Sequence, residues 1–166
     1  LSHSLRLTAA EIKTFRVTKA VGPVAITFIR EVDGRPTAHD GIQLARGFEA
    51  SHPLNALQEG DIVYVTVTST IAAGAQDGCY NLRDHLPGGW QPSMQWSGYD
   101  LNSVDYPYDV QQGEVSFVVC GRGEHVIRYR ARVVSRGTYK AEAPIIQHME
   151  YPSVAGIGMD QTVVVK

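Results

Sequence analysis

The sequence predicts an all-β protein, an antiparallel immunoglobulin-like β-sandwich with an extra β-hairpin at its N-terminus. Three observations lead there. Apolar and polar residues alternate with a period of two along most of the chain. Clusters of Gly, Pro, Asn and Asp interrupt that alternation at short intervals, as turns between strands do. No stretch carries a convincing 3.6-residue apolar stripe, the mark of an amphipathic helix.

Taken in order, residues 12–17 and 24–32 flank Val21-Gly22-Pro23 and read as the two arms of the hairpin. The turn Asp33-Gly34-Arg35-Pro36 closes it and sets a domain boundary, with N-terminal strands in residues 1–35 and a sandwich in 36–166. Ile42, Leu44 and Gly47-Phe48 suggest the first strand of the sandwich. Residues 62–70 are the clearest strand of all: Val63, Val65 and Val67 share one face, and Tyr64, Thr66 and Thr68 the other. Residues 72–77 are the one candidate helical turn. Further strands are expected over 79–86, 115–120, 126–134, 139–142, 145–149 and 161–165. Between them, residues 91–112 are rich in Pro, Gly, Asn, Ser and Tyr and read as a long irregular loop.

Composition excludes several function classes. With 166 residues and 43% hydrophobic content, the chain has material for a real core and room for one large domain, or a domain plus part of a neighbour. A formal net charge of −2 leaves no basic field to attract nucleic acid or anionic lipid. The longest apolar run is far short of the roughly 20 residues that span a bilayer. Leu-Ser-His-Ser-Leu-Arg at the start lacks a signal-peptide pattern, so any targeting segment of a parent protein is expected outside this chain. Two cysteines, Cys79 and Cys120, fit neither a zinc cluster nor a disulfide-dense mini-domain; one bridge and two buried thiols are both open.

Nothing in the sequence makes an enzyme or a cofactor site. The six histidines are scattered without metal-ligand spacing. Asp100, Asp105 and Asp109 lack the alternate positions and terminal Glu of an EF-hand loop, and solvated loop acids are the default. Gly121-Arg122-Gly123 and Gly156-Ile157-Gly158 do not sit between a strand and a helix, so they read as turns and not as phosphate cradles. Ser97-Gly98 has no first glycine to complete a nucleophile elbow. Arg128, Arg130 and Arg132 alternate along one strand and read as its solvent face, opposite Ile127, Tyr129, Ala131 and Val133.

A series of motifs then carries a resemblance. Ile42-Gln-Leu-Ala-Arg46 precedes Gly60-Asp-Ile-Val-Tyr-Val-Thr-Val-Thr68, which precedes Asp84-His-Leu-Pro-Gly-Gly89. Val126-Ile-Arg-Tyr-Arg-Ala-Arg-Val133, Gly137-Thr-Tyr139, Glu142-Ala-Pro144 and Met149-Glu-Tyr151 complete it. Order and spacing over residues 37–166 resemble the C-terminal macroglobulin-like domain of bacterial alpha-2-macroglobulins, the counterpart of the animal receptor-binding domain. Residues 1–32 more loosely resemble strands of the CUB-like domain that carries the thioester domain in that family. The family's Cys-x-Glu-Gln thioester motif is absent, since Tyr80-Asn81 follow Cys79 and Gly121-Arg122 follow Cys120. The long loop and the paired cysteines resemble related surface proteins of Gram-positive bacteria.

The resemblance implies a macroglobulin-like β-sandwich without catalysis or cofactor. It implies a module that packs against and shields a thioester domain in a protease-trapping envelope protein, outside the bacterial cytoplasm. Its partners would be the other domains of the parent chain and, through the parent, proteases. In that family a Met matching Met149 lies against the thioester, and Tyr151 stands one residue beyond the family's Met-Tyr pair. Both are therefore candidate interdomain contacts. The extracellular setting so implied permits a Cys79–Cys120 disulfide, and the two cysteines are expected to be spatial neighbours. Two rival readings remain: an immunoglobulin-like spacer or adhesion module of a bacterial surface protein, and a carbohydrate-binding sandwich. The second draws on Trp90, Trp96, Tyr99, Tyr106 and Tyr108, whose aromatic faces suit sugars if exposed.

Overall fold

The computed structural model describes residues 7–19, 21–22, 36–93, 105, 107–111 and 113–166. The chain divides into two compact units, Leu1–Gly34 and Arg35–Lys166.

In the first unit, the strand expected over 12–17 is replaced by a short helix, α1 (Ala9–Thr14). The cause is a capping box: the Glu11 amide donates to Thr8 Oγ1 at 3.3 Å, and the Thr8 amide donates to Glu11 Oε2 at 2.7 Å. Two amides that a helix start leaves orphaned are thereby satisfied, which favours the helix over an extended chain. The second arm expected over 24–32 lies outside the described residues.

The second unit is built from β1 (Ile42–Ala50), β2 (Ile62–Ile71), β3 (Cys79–His85), β4 (Trp90–Pro92), β5 (Asp109–Gln111) and β6 (Glu114–Cys120), followed by β7 (Gly123–Val133), β8 (Gly137–Ala141), β9 (Ile145–His148), β10 (Ala155–Ile157) and β11 (Gln161–Val165). They form one sheet ordered β1-β2-β7-β4, a second ordered β10-β9-β3-β6-β5, and the pair β11-β8. Every named ladder is antiparallel. The expected all-β sandwich is thus the observed fold.

Alternation explains the layering. Val63, Val65, Val67 and Ile71 of β2 turn inward beside Tyr129, Ala131 and Val133 of β7. From the other sheet, Tyr80 and Leu82 of β3, Val115, Phe117 and Val119 of β6, and Ile146 of β9 are buried as well. Phe117 and Tyr129 bring ring centroids to 5.6 Å between the sheets. Each such aliphatic side chain stabilises the fold by about 1.5–3 kcal/mol through removal from water. Arg128, Arg130 and Arg132 occupy the opposite face of β7, as expected, and Arg128 stands 3.5 Å from Glu49 of β1.

Two further expectations are corrected. Residues 72–77 form no helix; the Ala75 amide bonds to the Ala72 carbonyl at 3.0 Å and makes a simple turn. Gly156-Ile157 belong to β10 and not to a turn. The glycine there serves close packing: a Cβ on Gly156 would lie 2.5 Å from Ile42 Cγ2. The stretch 91–112, expected to be irregular, also contributes the short strand β5 at the edge of its sheet.

Charge is buried between the layers. Arg46 of β1 approaches Asp84 of β3 at 2.5 Å, with their side chains 1% and 0% exposed. The Tyr129 hydroxyl of β7 donates to the second Asp84 oxygen at 2.6 Å. Arg46 further donates to the carbonyls of Ala141 (3.0 Å) and Glu142 (2.8 Å) and to Gln161 Oε1 (3.1 Å), and its guanidinium lies over the Phe48 ring at 4.9 Å. Burial pushes the Asp84 carboxyl above its ordinary value, and Arg46 and Tyr129 only partly offset this. Burial first, and the adjacent Asp84 charge second, push the Tyr129 hydroxyl well above 10.0.

Asp84→Ala should therefore strand a buried guanidinium and cost about 3–5 kcal/mol in urea unfolding; a loss under about 1 kcal/mol would contradict the pairing. Tyr129→Phe should cost about 1.5–3 kcal/mol at neutral pH, because it removes a hydrogen bond to a charged group. Since the folded tyrosine titrates above the unfolded one, its contribution is full below pH about 10 and is lost as pH rises through the folded value. The stability gap between wild type and Tyr129→Phe should accordingly narrow above pH about 10, as read by unfolding curves at stepped pH.

Candidate functional site

The end of the five-stranded sheet where β9 turns into β10 gathers the residues singled out for contact. β9 alternates, with Ile146 and His148 buried and Gln147 half-buried on the opposite face. The chain then turns: the Val154 amide bonds to the Tyr151 carbonyl at 2.8 Å, and the His148 amide to the Val154 carbonyl at 2.9 Å. Pro152 has no amide to donate and ends the strand direction here, while Gln147 Nε2 donates to its carbonyl at 2.6 Å.

His148 organises this turn. It is 2% exposed, and its Nδ1 accepts the amides of Glu150 and Tyr151, each at 3.1 Å. Two donors on Nδ1 leave the ring proton on Nε2, which therefore donates to the Asp77 carbonyl at 3.0 Å. The ring meets Tyr80 edge-on at 4.8 Å and Tyr151 at 5.1 Å. Gly78 makes room for it: its φ is +136°, and a Cβ there would fall 2.7 Å from His148 Nε2. The Tyr80 hydroxyl donates to the Gln76 carbonyl, and burial raises its titration above the ordinary tyrosine value. With both nitrogens committed to the backbone, His148 has no function to offer as an acid, base or ligand. It is a structural pin.

The consequence lies outside. Met149 is 58% exposed and Tyr151 49% exposed, on a turn whose backbone is fixed from within. The Met149 amide donates to the Cys79 carbonyl at 3.0 Å, so the turn is also tied to the start of β3. There Cys79 and Cys120 are joined by a disulfide, with Cα atoms 4.1 Å apart in directly opposed positions of the β3–β6 ladder. Val118, exposed, pairs with Asn81 two rungs further along, on the same face. Met149 and Tyr151 thus flank the exposed Glu150 on a turn held by backbone hydrogen bonds beside the disulfide, and a thioether and an aromatic ring so placed suit contact with a partner.

Other candidate residues are dispersed. Trp90 is buried with its ring 5.2 Å from Phe48, so it offers no platform for a sugar. Tyr108 is exposed, and Trp96, Tyr99 and Tyr106 lie outside the described residues. Asp100 lies outside them too. Asp105 accepts the Arg128 amide at 2.8 Å, and Asp109 accepts from Gln111 at 2.9 Å. Among the described residues no three His, Cys, Asp or Glu side chains are grouped as a metal would need. Sequence reasoning missed Gly78, Tyr80 and the role of His148. The available signal was local: a histidine continuing the inward alternation of Ile146 has no water to satisfy it and must find protein partners.

Several solved structures share this fold. A Salmonella alpha-2-macroglobulin point mutant matches with a TM-score of 0.62 and 22% identity, over 80% of this chain and 10% of that one. Native Escherichia coli alpha-2-macroglobulin from domain MG7 to the C-terminus matches at TM-score 0.60 and 19% identity, over 79% of this chain and 24% of that one. The trypsin-activated E. coli protein matches at 0.61 and 19%, over 79% and 11%. The chain thus spans about a tenth to a quarter of the length of these relatives. No curated protein sequence matches it. The family described as the bacterial alpha-2-macroglobulin MG10 domain matches residues 31–153, well over half of the sequence, and the chain belongs to that family.

Proposed function

We propose that this chain is a non-catalytic module of a larger bacterial alpha-2-macroglobulin-like envelope protein, and that its β9–β10 turn packs against and shields a thioester domain. The parent would trap proteases, and this module would meet them only through the parent. The reading rests above all on the exposed pair Met149 and Tyr151, presented on a turn that His148 pins from inside. Excluding water from an activated acyl group needs apolar contact held in place, and a thioether beside an aromatic ring supplies it without reactive groups of its own. Residues 1–35 would then belong to a CUB-like domain of the parent. Partners are other domains of the same chain; neither nucleic acid nor membrane insertion is required, and no helix among the described residues is long and apolar enough to cross a membrane.

A Cys-x-Glu-Gln motif upstream in the full gene is the first observation the proposal requires. In that parent protein, Met149→Ala should speed methylamine inactivation of the thioester several-fold. The stability of this domain should stay within about 0.5 kcal/mol, as for surface substitutions generally. His148→Ala should speed inactivation too, but with a loss of about 2–4 kcal/mol, because two turn amides lose their acceptor and a cavity opens. An unchanged methylamine rate in Met149→Ala would leave a spacer or adhesion module as the better reading.

A further inference from the structure

We propose that the Cys79–Cys120 bridge is a redox-addressed clasp, whose reduction in the folded protein releases the strand end that holds the Met149–Tyr151 turn. The inference concerns regulation of the surface described above. Its consequence for shielding rests on the proposed function, whereas its chemistry does not.

Position makes the bridge a clasp. Cys79 opens β3 and Cys120 closes β6, so the disulfide staples the last rung of that ladder. Beyond it the strands are joined by the Gly121 amide donating to the Gly78 carbonyl at 2.9 Å. Neighbours of Cys79 on both sides hold the turn. Asp77 accepts from His148 Nε2, Gly78 packs under the imidazole, Cys79 accepts the Met149 amide, and Tyr80 meets the ring edge-on. Freedom gained at Cys79 is therefore transmitted to His148 and Met149 through direct contacts.

Exposure makes the bridge addressable. Tyr80 and Val119 point into the core, so Cys79 and Cys120 point away from it. Cys120 is exposed and Cys79 half-buried, so a thiolate reaches Cys120 Sγ without unfolding the sheet. The fold does not depend on the bridge for its centre. Asp84 lies five residues further along β3, about 16 Å away at ~3.3 Å per residue, and its contacts to Arg46 and Tyr129 are independent of the disulfide.

The exchange balances with an external dithiol as reductant. One of its thiolates attacks Cys120 Sγ, the S–S bond breaks, and Cys79 leaves as a thiolate that takes up a proton. The second thiol of the reductant, losing its proton, attacks the mixed disulfide and releases Cys120, which is protonated in turn. The two electrons come from the dithiol, which departs as a cyclic disulfide.

The test begins with the 166-residue chain, treated with dithiothreitol at neutral pH without denaturant and quenched with N-ethylmaleimide. Expected are two adducts per chain, a retained cooperative melt, and amide exchange at residues 77–80 and 149–151 at least about tenfold faster, with β2 and β7 unchanged. Cysteines that label only after denaturation, exchange unchanged at Met149 and Tyr151, or a melted sheet would each overturn the proposal. The double variant Cys79→Ser/Cys120→Ser must reproduce the exchange pattern without reductant, and failure to do so also overturns it. In a thioester-bearing parent, that double variant should raise the methylamine rate several-fold. Faster exchange at an unchanged methylamine rate would leave the clasp standing and remove the shielding reading.

Discussion

One buried ion pair ties this sandwich together. Arg46 and Asp84 come from facing sheets, and Tyr129 closes the triangle from a strand two places away from β1. A guanidinium removed from water is tolerable only if its donors are met, and here they reach a carboxylate, two backbone carbonyls and a side-chain amide. Because those acceptors lie on β3, at the end of β8, in the β8–β9 connection and on β11, the sheets cannot slide in register without stranding a charge. Hydrophobic burial supplies most of the stability, but it is indifferent to small shifts; the polar triangle is not.

That constraint matters at the far end of β3. With Asp84 anchored, the strand delivers Tyr80, Cys79 and Gly78 to fixed places, and His148 finds the Asp77 carbonyl and a pocket without a Cβ. His148 in turn sets the backbone of residues 150 and 151. The chain of cause runs from buried charge to strand register, from register to imidazole, and from imidazole to an exposed thioether and ring. The proposed docking role asks for such rigidity, because a surface that must exclude water loses its effect if the turn frays.

The sequence made the strands legible where alternation was long and undisturbed. In β2 the valines 63, 65 and 67 could face only one way, and in β7 the arginines could only face the other. What stayed hidden depended on partners distant in sequence. Gly156 looked like turn chemistry because glycine is ambiguous, and only the nearness of Ile42 shows that it serves packing. Asp84 opens the Asp84-His-Leu-Pro-Gly-Gly89 motif, while its partner Arg46 is 38 residues away and no local pattern links them. The helix at Ala9–Thr14 has a legible signal, for Thr8-x-x-Glu11 is a capping signature, but the stretch 12–17 that overlaps it also reads as a strand. Met149 and Tyr151 stand out through the family resemblance; their chemistry alone does not distinguish them from strand-end packing.

Shielding of a thioester domain requires that Met149 be covered in the parent protein. Met149 and Met159 are both exposed in this chain, at 58% and 81%, which makes them a matched pair for oxidative footprinting. Hydroxyl-radical oxidation followed by peptide mass spectrometry would be compared between the isolated chain, the native parent and the methylamine-treated parent. If Met149 is buried against the thioester domain, native parent protects it at least about tenfold relative to the isolated chain, and methylamine treatment restores its oxidation. Equal oxidation of Met149 in all three states would contradict that burial.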